Sequence, residues 1–387
     1  MSTATGQPDA QVAAQLPYGF TAEDEGHMRH ALGLAELGLN TTDPNPRVGC
    51  VLVRGAQVLG EGWHERAGGP HAEVRALQDA GEAARGSTAY VTLEPCAAHG
   101  RTPPCVGALL AAGVGRVVFA GADPNPQMVG GGEALRAAGV LVQSGLLAGE
   151  ARALNPGFYK RHEQGLPWVR VKLGTSLDGR IALASGESRW ITSPEARADA
   201  QLWRARSSAV LTGIGTVLAD DPALNVRIEG ASRQPRRVVL DSALRLPPGA
   251  RMLAREGEAL VLTAAGDVPA RAALQARGAT VHSLPPAPAG GLDLRAVLQY
   301  LATLDANEVW VEAGARLAGA FLAARLVDEL VLYVAPSLLG PQAQPLAQLP
   351  APATLAERLQ LEYRSTLRIG PDLRIVAVPR APAAPTG

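Results

Sequence analysis

Three short segments far apart in the chain carry what reads as one metal site, so the fold must bring them within a few ångströms of each other. They are His71-Ala72-Glu73, Glu94-Pro95-Cys96 and Cys105. One imidazole and two thiolates fill three tetrahedral positions around Zn2+ and leave the fourth for water, which is how catalytic sites differ from closed structural ones. The pattern predicts that His71 and Cys105 begin helices, where the positive helix end favours a thiolate over a thiol. Glu73, two residues from the imidazole, can take a proton from the water without binding the metal, as a general acid/base does. The alternative is a structural site closed by His99, which would leave Glu73 without a task. Cys50 sits on an apolar strand and reads as core.

Around these segments the apolar spacing predicts an α/β unit. A helix over 23–39 ends at the Asp43-Pro44-Asn45-Pro46 turn, and a hairpin follows at 49–53 and 57–60. Helices at 71–84, after Pro104 and at 132–138 then alternate with strands at 89–93, 116–120 and 140–143. A polar stretch, 153–166, reads as a linker, and a second α/β series begins with the strand 168–173. Further strands are expected near 208–212, 237–240, 259–263, 308–312 and 329–335. The resulting division is a tail at 1–20, one domain over 21–152, the linker, a second domain over 167–380 and a disordered tail at 381–387. A length of 387 residues agrees with two domains at about 150 residues each.

Composition excludes several partners. Lys+Arg and Asp+Glu are both 36, so no general field attracts nucleic acid or an anionic membrane. No window supplies the roughly 20 apolar residues of a membrane span, and no signal peptide is recognisable, so a cytoplasmic protein is expected. Three cysteines in such a chain make no disulfide framework. All but two of the basic residues are arginine, the lysines being Lys160 and Lys172.

The first-half motif has the H-x-E and P-C elements of zinc deaminases, with eight residues between its cysteines where the usual pattern has two. Together with Gly100-Arg101-Thr102-Pro103-Pro104-Cys105 and Asp123-Pro124-Asn125-Pro126, it resembles the deaminase domain of the bifunctional riboflavin biosynthesis deaminase-reductase family. Lys172-Leu173-Gly174-Thr175-Ser176-Leu177-Asp178-Gly179-Arg180, Gly215-Thr216-Val217-Leu218-Ala219-Asp220-Asp221-Pro222 and Val311-Glu312-Ala313-Gly314 resemble that family's reductase domain. The resemblance implies a three-layer cytidine-deaminase-like domain followed by a dihydrofolate-reductase-like domain. It also implies zinc and NADPH as cofactors, a phosphorylated pyrimidine substrate, and a homo-oligomer, dimer or tetramer. The implied reactions are hydrolytic deamination of 2,5-diamino-6-(5-phosphoribosylamino)pyrimidin-4-one, then reduction of the ribosyl side chain to ribityl.

Residue by residue, the resemblance puts Asn45, His64, Arg101 and Asn125 on the deaminase substrate. Asn45 and Asn125 also suit a purely local role in their X-Pro turns, whereas a guanidinium at Arg101 suits a phosphate. The family usually has His where this chain has Ala98, and His99 is its neighbour. In the second half Lys172 is the catalytic candidate, since a compact ammonium in an arginine-rich chain suits donation to a sugar oxygen. Gly174, Trp190, Thr216, Asp220 and Ser242 are expected along the cofactor. The turn Gly314-Ala315-Arg316-Leu317-Ala318-Gly319-Ala320 is expected to receive its phosphate at a helix N-terminus. Ser188, Arg204, Leu224, Arg227 and Glu312 are expected to face the reductase substrate, with Arg204 and Arg227 clamping its phosphate. Gly213-Ile214-Gly215 lacks the third glycine of a dinucleotide fingerprint.

Two rivals compete with this reading. One is a zinc deaminase of nucleosides or tRNA, opposed by the long cysteine spacing and the neutral charge. The other is a zinc-stabilised scaffold joined to a nucleotide-sensing module without turnover. Glu73→Gln discriminates the second: a scaffold loses nothing by it.

Overall fold

The computed structural model describes residues 19–99, 103–288 and 290–380. The expected C-terminal tail, all but the last two residues of the expected N-terminal tail, and Arg101 lie outside the described residues. The chain forms two compact units.

The first unit comprises 48–64 and 68–154 together with the chain up to Leu37. Its elements are α1 (Ala22–Glu36), β1 (Gly49–Arg54), β2 (Gln57–Trp63), α2 (Ala72–Ala80), β3 (Thr88–Leu93), α3 (Cys105–Ala111), β4 (Arg116–Gly121), α4 (Gly131–Ala137), β5 (Leu141–Ser144) and α5 (Ala148–Leu154). The sheet order is β2-β1-β3-β4-β5. The hairpin partners of β1 are antiparallel, whereas β3, β4 and β5 are parallel, because α3 and α4 carry the chain back between them.

Small residues set how closely the helices approach this sheet. A Cβ on Gly62 would lie 2.5 Å from the Ala72 carbonyl oxygen, and one on Gly60 would lie 2.4 Å from that of Ala76. With glycine on that face of β2, α2 settles against the strand backbone, and this fixes the height of His71 and Glu73. Gly49 does the same for α1 beside Ala31 and Ala35. Thr21 caps α1 in a reciprocal box with Asp24, whose carboxylate also accepts from the Tyr90 hydroxyl and Arg116. Phe20 is buried against Met28, Val51 and Tyr90, so the expected tail ends inside the core.

The second unit comprises 38–47, 65–67 and the chain from Asn155 onward. It contains α6 (Pro156–Gln164), β6 (Trp168–Ser176), β7 (Arg180–Ala182), α7 (Pro194–Arg206), β8 (Ala209–Gly213), α8 (Ile214–Asp220), β9 (Arg236–Leu240), β10 (Ala259–Thr263), α9 (Val268–Gln275) and β11 (Ala279–Ser283). After these come α10 (Leu294–Thr303), β12 (Glu308–Glu312), α11 (Ala315–Ala323), β13 (Glu329–Ala335), β14 (Gln344–Pro345), β15 (Leu361–Ile369) and β16 (Asp372–Pro379). Nine strands make the main sheet, in the order β11-β10-β9-β8-β12-β6-β13-β16-β15, while β7 and β14 pair separately. The strands from β11 to β13 are parallel, and β16 and β15 close that edge as an antiparallel hairpin.

Alternating residues feed two cores. Val171, Leu211, Val238, Leu260 and Val311 pack with Leu298 and Phe321 of α10 and α11. Val210, Val239, Val261, Trp310 and Tyr333 face the other way, toward Ala200 of α7.

Three expectations need correction. The polar stretch 153–166 is not an extended linker: it holds the end of α5 and all of α6, and the units divide between Leu154 and Asn155. Its polar residues are used, since Lys160 binds Asp328 at 2.6 Å and Arg161 binds Asn307 at 2.7 Å. The segment 38–47, expected within the first domain, clusters with the second unit. There Asp43 accepts from Ser208, Arg233 and Asn307, and Arg47 binds Glu308 at 2.7 Å. Finally, the apolar pattern announces neither β15 nor β16, because β15 is largely exposed and shows no buried alternation.

Candidate functional site

In the first unit, β3 ends at Leu93 and the chain turns through Glu94 and Pro95 to Cys96. Glu94 fastens this turn, its carboxylate accepting the Gly132 N–H at 3.0 Å and the Asp123 N–H at 3.4 Å. Cys105 is the first residue of α3, and His71 is the N-cap of α2. One donor atom from each of His71, Cys96 and Cys105 lies within 4.8 Å of the others. The His71 Nδ1 is 3.2 Å from Cys105 Sγ and 3.6 Å from Cys96 Sγ. Tetrahedral zinc with ordinary bond lengths puts nitrogen and sulfur roughly 3.5 Å apart. The donor set and its spacing therefore fit zinc.

As expected, Cys105 begins a helix, but the helix end also acts on the other cysteine. The first N–H of α3, that of Cys105, donates to the Cys96 sulfur at 3.3 Å, so the helix end serves the cysteine outside the helix. A hydrogen bond from the Cys105 thiol brings Cys96 down to about 4, with His71 and that N–H adding to it against burial. The same thiol contact and burial push Cys105 up. A hydrogen bond with Cys96 raises the His71 imidazole against burial, and the charge of Glu73 adds to it.

Glu73 is 3% exposed, in the first turn of α2 beside this cluster. Burial raises its carboxyl, opposed by the charge of His71 and a bond from the Cys105 thiol. A carboxyl raised in this way holds a proton more readily than a free one, which suits a group that must both take and give one. The His64 ring stands edge-on to His71, with centroids 5.4 Å apart, and its Nδ1 meets the Pro70 carbonyl at 3.0 Å. His99 is exposed and outside the ligand group, so among the described residues nothing closes the site in the structural manner. Asn125 caps its own turn by accepting the Gln127 N–H at 3.1 Å, the local role its sequence context also allowed. Asn45 belongs to the second unit. Cys50 is fully buried, as a core residue.

The second unit opens a cleft of about 1450 Å³ at the carboxyl ends of its central strands. This is a topological switch: the chain runs outward from β8 to β11, returns through β12 and then crosses to β13. The volume exceeds the ~300–1,000 Å³ of a single-ligand pocket, leaving room for a dinucleotide and a second molecule. Gly174, where a Cβ would meet Thr192 Cγ2 at 3.1 Å, keeps the wall low beside Lys172.

Lys172, Gly174, Ser188, Trp190, Arg204, Thr216, Asp220, Arg227, Ser242 and Glu312 all line the cleft. So do Gly314, Ala315, Arg316, Leu317 and Ala320 of the turn and first residues of α11. Leu224, Ala318 and Gly319 do not. Leu224 and Ala318 are packed into the two cores, and a Cβ on Gly319 would sit 2.0 Å from the Gln348 carbonyl oxygen. The helix turns its 318–319 side away from the cleft, as a 3.6-residue period requires.

Arg204 also departs from expectation. Its guanidinium is clamped on both oxygens of Glu312 at 2.6 and 2.7 Å, and it donates to the Asn225 carbonyl. The Trp310 indole N–H adds a bond to Glu312 at 2.7 Å. Burial opposes ionisation of Glu312, but Arg204, Lys172 and Trp310 hold it down to about 2. Arg204 thus orients Glu312 and has no free fork for a phosphate. Lys172 is lowered by burial, with Glu312 opposing and Arg204 and Arg197 adding to the shift. Sequence reasoning missed Trp310, Arg197, Arg251 and Arg255, whose patterns locally resemble core and surface positions.

Comparison with known proteins follows this geometry. Residues 21–121 match the cytidine and deoxycytidylate deaminase zinc-binding region, and residues 167–375 match the RibD C-terminal domain. The chain is 50% identical over 365 residues to the riboflavin biosynthesis protein RibD of Escherichia coli, covering 91% of this chain and 98% of that protein. It is 44% identical to RibD of Haemophilus influenzae, covering 93% and 99%. The solved Acinetobacter baumannii RibD, form 1, superposes with a TM-score of 0.87 at 44% identity, covering 93% of this chain and 99% of that one. A diaminohydroxyphosphoribosylaminopyrimidine deaminase/5-amino-6-(5-phosphoribosylamino)uracil reductase from Thermotoga maritima gives 0.81 at 30% identity, covering 92% and 99%.

Proposed function

The chain belongs to the RibD family, bifunctional deaminase-reductases of riboflavin biosynthesis, and from that premise we propose how its two units divide the work. The first unit deaminates 2,5-diamino-6-(5-phosphoribosylamino)pyrimidin-4-one, and the second reduces the ribosyl chain of the product with NADPH. The observation that carries the first assignment is the convergence of His71, Cys96 and Cys105 beside a buried Glu73.

His71, Cys96 and Cys105 would hold zinc, which when bound would supply Lewis acidity and lower the pKa of water. Glu73 takes a first proton from the attacking water and gives it to the ring nitrogen, then takes the remaining hydroxyl proton and gives it to the amine, which leaves as ammonia as the C–N bond breaks and the ring carbonyl forms. His64 keeps the His71 ring in place from its edge. The Glu94 carboxylate holds the turn that carries Cys96. Arg101, by its resemblance to the family pattern, receives the substrate phosphate.

In the second unit NADPH supplies the hydride when bound. The first turn of α11, preceded by Gly314, offers backbone N–H groups to its phosphates. Gly174, Trp190, Thr216, Asp220 and Ser242 form the rest of that wall. Lys172 Nζ donates a hydrogen bond to the sugar oxygen, and Glu312, fixed by Arg204 and Trp310, orients the ribosyl hydroxyls. Ser188 and Arg227 complete the substrate side.

Incubation with the diaminopyrimidine phosphate, followed by mass spectrometry, tests the division. A gain of about one dalton appears without cofactor, and about two more only with NADPH. Product unchanged by NADPH overturns the reductase assignment. No helix among the described residues is long and apolar enough to cross a membrane; a cytoplasmic homo-oligomer is the matching expectation, checked by fractionation and light scattering.

A further inference from the structure

Lys172 lines the cleft, yet among the described residues its ammonium makes no hydrogen bond and no ion pair. Glu312, whose charge acts on it, already has both oxygens taken, Oε1 by Arg204 and Trp310 and Oε2 by Arg204. Arg197 and Arg204 of α7 repel it. A lysine stem is long and flexible, so an ammonium that must meet one sugar oxygen needs something to hold it.

What it meets is an aromatic face. Lys172 Nζ stands 5.7 Å from the centroid of the Tyr333 ring, inside the roughly 6 Å at which a ring face attracts a cation. Strand register explains the approach. Lys172 of β6 pairs with Val331 of β13 and Gly174 pairs with Tyr333, so Lys172, Gly174 and Tyr333 share one face of the sheet. Gly174 leaves the intervening space open, and a Cβ there would lie 3.6 Å from Nζ. The lysine stem therefore passes over the glycine and ends against the ring of the neighbouring strand.

The ring is held from two further elements. Tyr333 is fully buried, and its hydroxyl donates to Asp199 Oδ2 at 2.5 Å. Asp199 lies on α7 and also accepts from Arg374 at 2.8 and 2.9 Å, and Arg374 is the residue of β16 directly opposite Tyr333. The Arg374 guanidinium lies 5.5 Å from the Trp203 ring, which stacks on Trp310 at 5.6 Å, and Trp310 donates to Glu312. One aromatic layer thus supports both Glu312, through a hydrogen bond, and Lys172, through a ring face. The difference matters chemically. A hydrogen bond or ion pair would occupy N–H donors of the ammonium, whereas a π face attracts the charge and leaves them for a ligand.

We propose that Tyr333 is a positioning residue of the reductase: its ring, locked through Asp199 and Arg374, holds the Lys172 ammonium charged and available to the cleft. The inference rests on the reading of Lys172 as donor to the sugar oxygen. Burial and the charges of Arg204 and Arg197 work against the ammonium, while Glu312 and the ring work for it. Without the ring face Lys172 gives up its proton at lower pH, so a reaction that needs the ammonium is lost earlier as pH rises. Burial and the Asp199 bond push the Tyr333 phenol up, which keeps the ring neutral where Lys172 titrates.

Lys160 and Lys172 are the only lysines, so the full chain, isotope-labelled at lysine Cε, gives two NMR signals that Lys172→Arg assigns. Lys160, paired with Asp328, is the internal reference. Tyr333→Leu removes the π face, and Tyr333→Phe keeps it. Trifluorophenylalanine in place of Tyr333 keeps the ring's shape and withdraws the charge of its face, and it decides the matter where the leucine variant does not fold. In the leucine and trifluoro proteins the Lys172 midpoint should fall by about 0.5–1 pH unit, with Tyr333→Phe close to wild type and Lys160 unmoved. The alkaline limb of kcat for NADPH-dependent reduction should fall by the same amount, while ammonia release and the KM for NADPH stay as they are. A ring that only fills space changes stability and not the midpoint, so an unmoved Lys172 signal in the folded trifluoro protein overturns the proposal. A midpoint that moves while the kinetic limb stays shows that the ring contact exists but Lys172 is not the donor; that reading then falls, and the positioning role with it.

Discussion

Replacing Gly131 with alanine should disable the metal site without touching a ligand. Gly131 begins α4, and a Cβ there would lie 1.7 Å from the carbonyl oxygen of Pro95 and 3.3 Å from Val106 Cγ2. The first distance is more than an ångström shorter than real contacts allow, and the obstacle is backbone, so no side chain can swing aside. Either α4 or the Pro95 turn must move. The turn leads directly into Cys96, whose sulfur accepts from Cys105 at 3.3 Å and whose neighbour Ala97 donates to Met128 at 3.2 Å. Overpacking of this sort costs about 1–3 kcal/mol, and ligand distances tolerate only about 0.2 Å. Zinc affinity should fall at least ~10- to 100-fold, as it does when supporting groups of a metal site are lost. The assay is chelator competition with metal analysis, alongside ammonia release, with NADPH-dependent reduction of the deaminated substrate as the internal control. Gly107→Ala makes a strict comparison: it lies two residues from ligand Cys105, but a Cβ there meets nothing within 4 Å. That variant should keep its zinc and gain about 0.5–1 kcal/mol. A Gly131→Ala protein with full zinc and wild-type ammonia release would refute the reasoning.

Glu73→Gln should retain zinc and lose roughly 10²- to 10⁴-fold in ammonia release, while reduction of supplied deaminated substrate continues; undiminished ammonia release would remove Glu73 from the chemistry. Lys172→Ala should abolish NADPH oxidation and leave ammonia release near normal, and loss of both activities would sink the two-site division. Glu308, 1% exposed, binds Arg47, Arg170 and Arg206, so Glu308→Gln should destabilise the second unit by about 3–5 kcal/mol in chemical denaturation. Burial opposes ionisation of Glu308, but the three arginines hold it well below the usual range. Its stabilisation is therefore full above the ordinary carboxyl pKa and is lost as pH falls through the folded value. The variant's stability should accordingly vary less with pH on the acid side, and an unaltered acid limb would show that the network does not act this way.

The deaminase site was legible because its chemistry is local. His71 and Glu73 share one helix start, Cys96 follows a strand and Cys105 opens a helix, so residue type and spacing announce the ligands before any long-range contact is known. The two-unit division and nearly all central strands were readable for a similar reason, as buried strands show themselves through apolar periodicity. What only the tertiary structure decided concerns partners. That Arg204 holds Glu312 and not a phosphate, that the segment 38–47 clusters with the second unit through Asp43 and Arg47, and that Leu224, Ala318 and Gly319 face the interior all depend on residues distant in the chain. An arginine carries the same charge in every sequence context, but whether it meets a carboxylate, a carbonyl or open space is set by packing, and packing is where the information in the linear pattern stops.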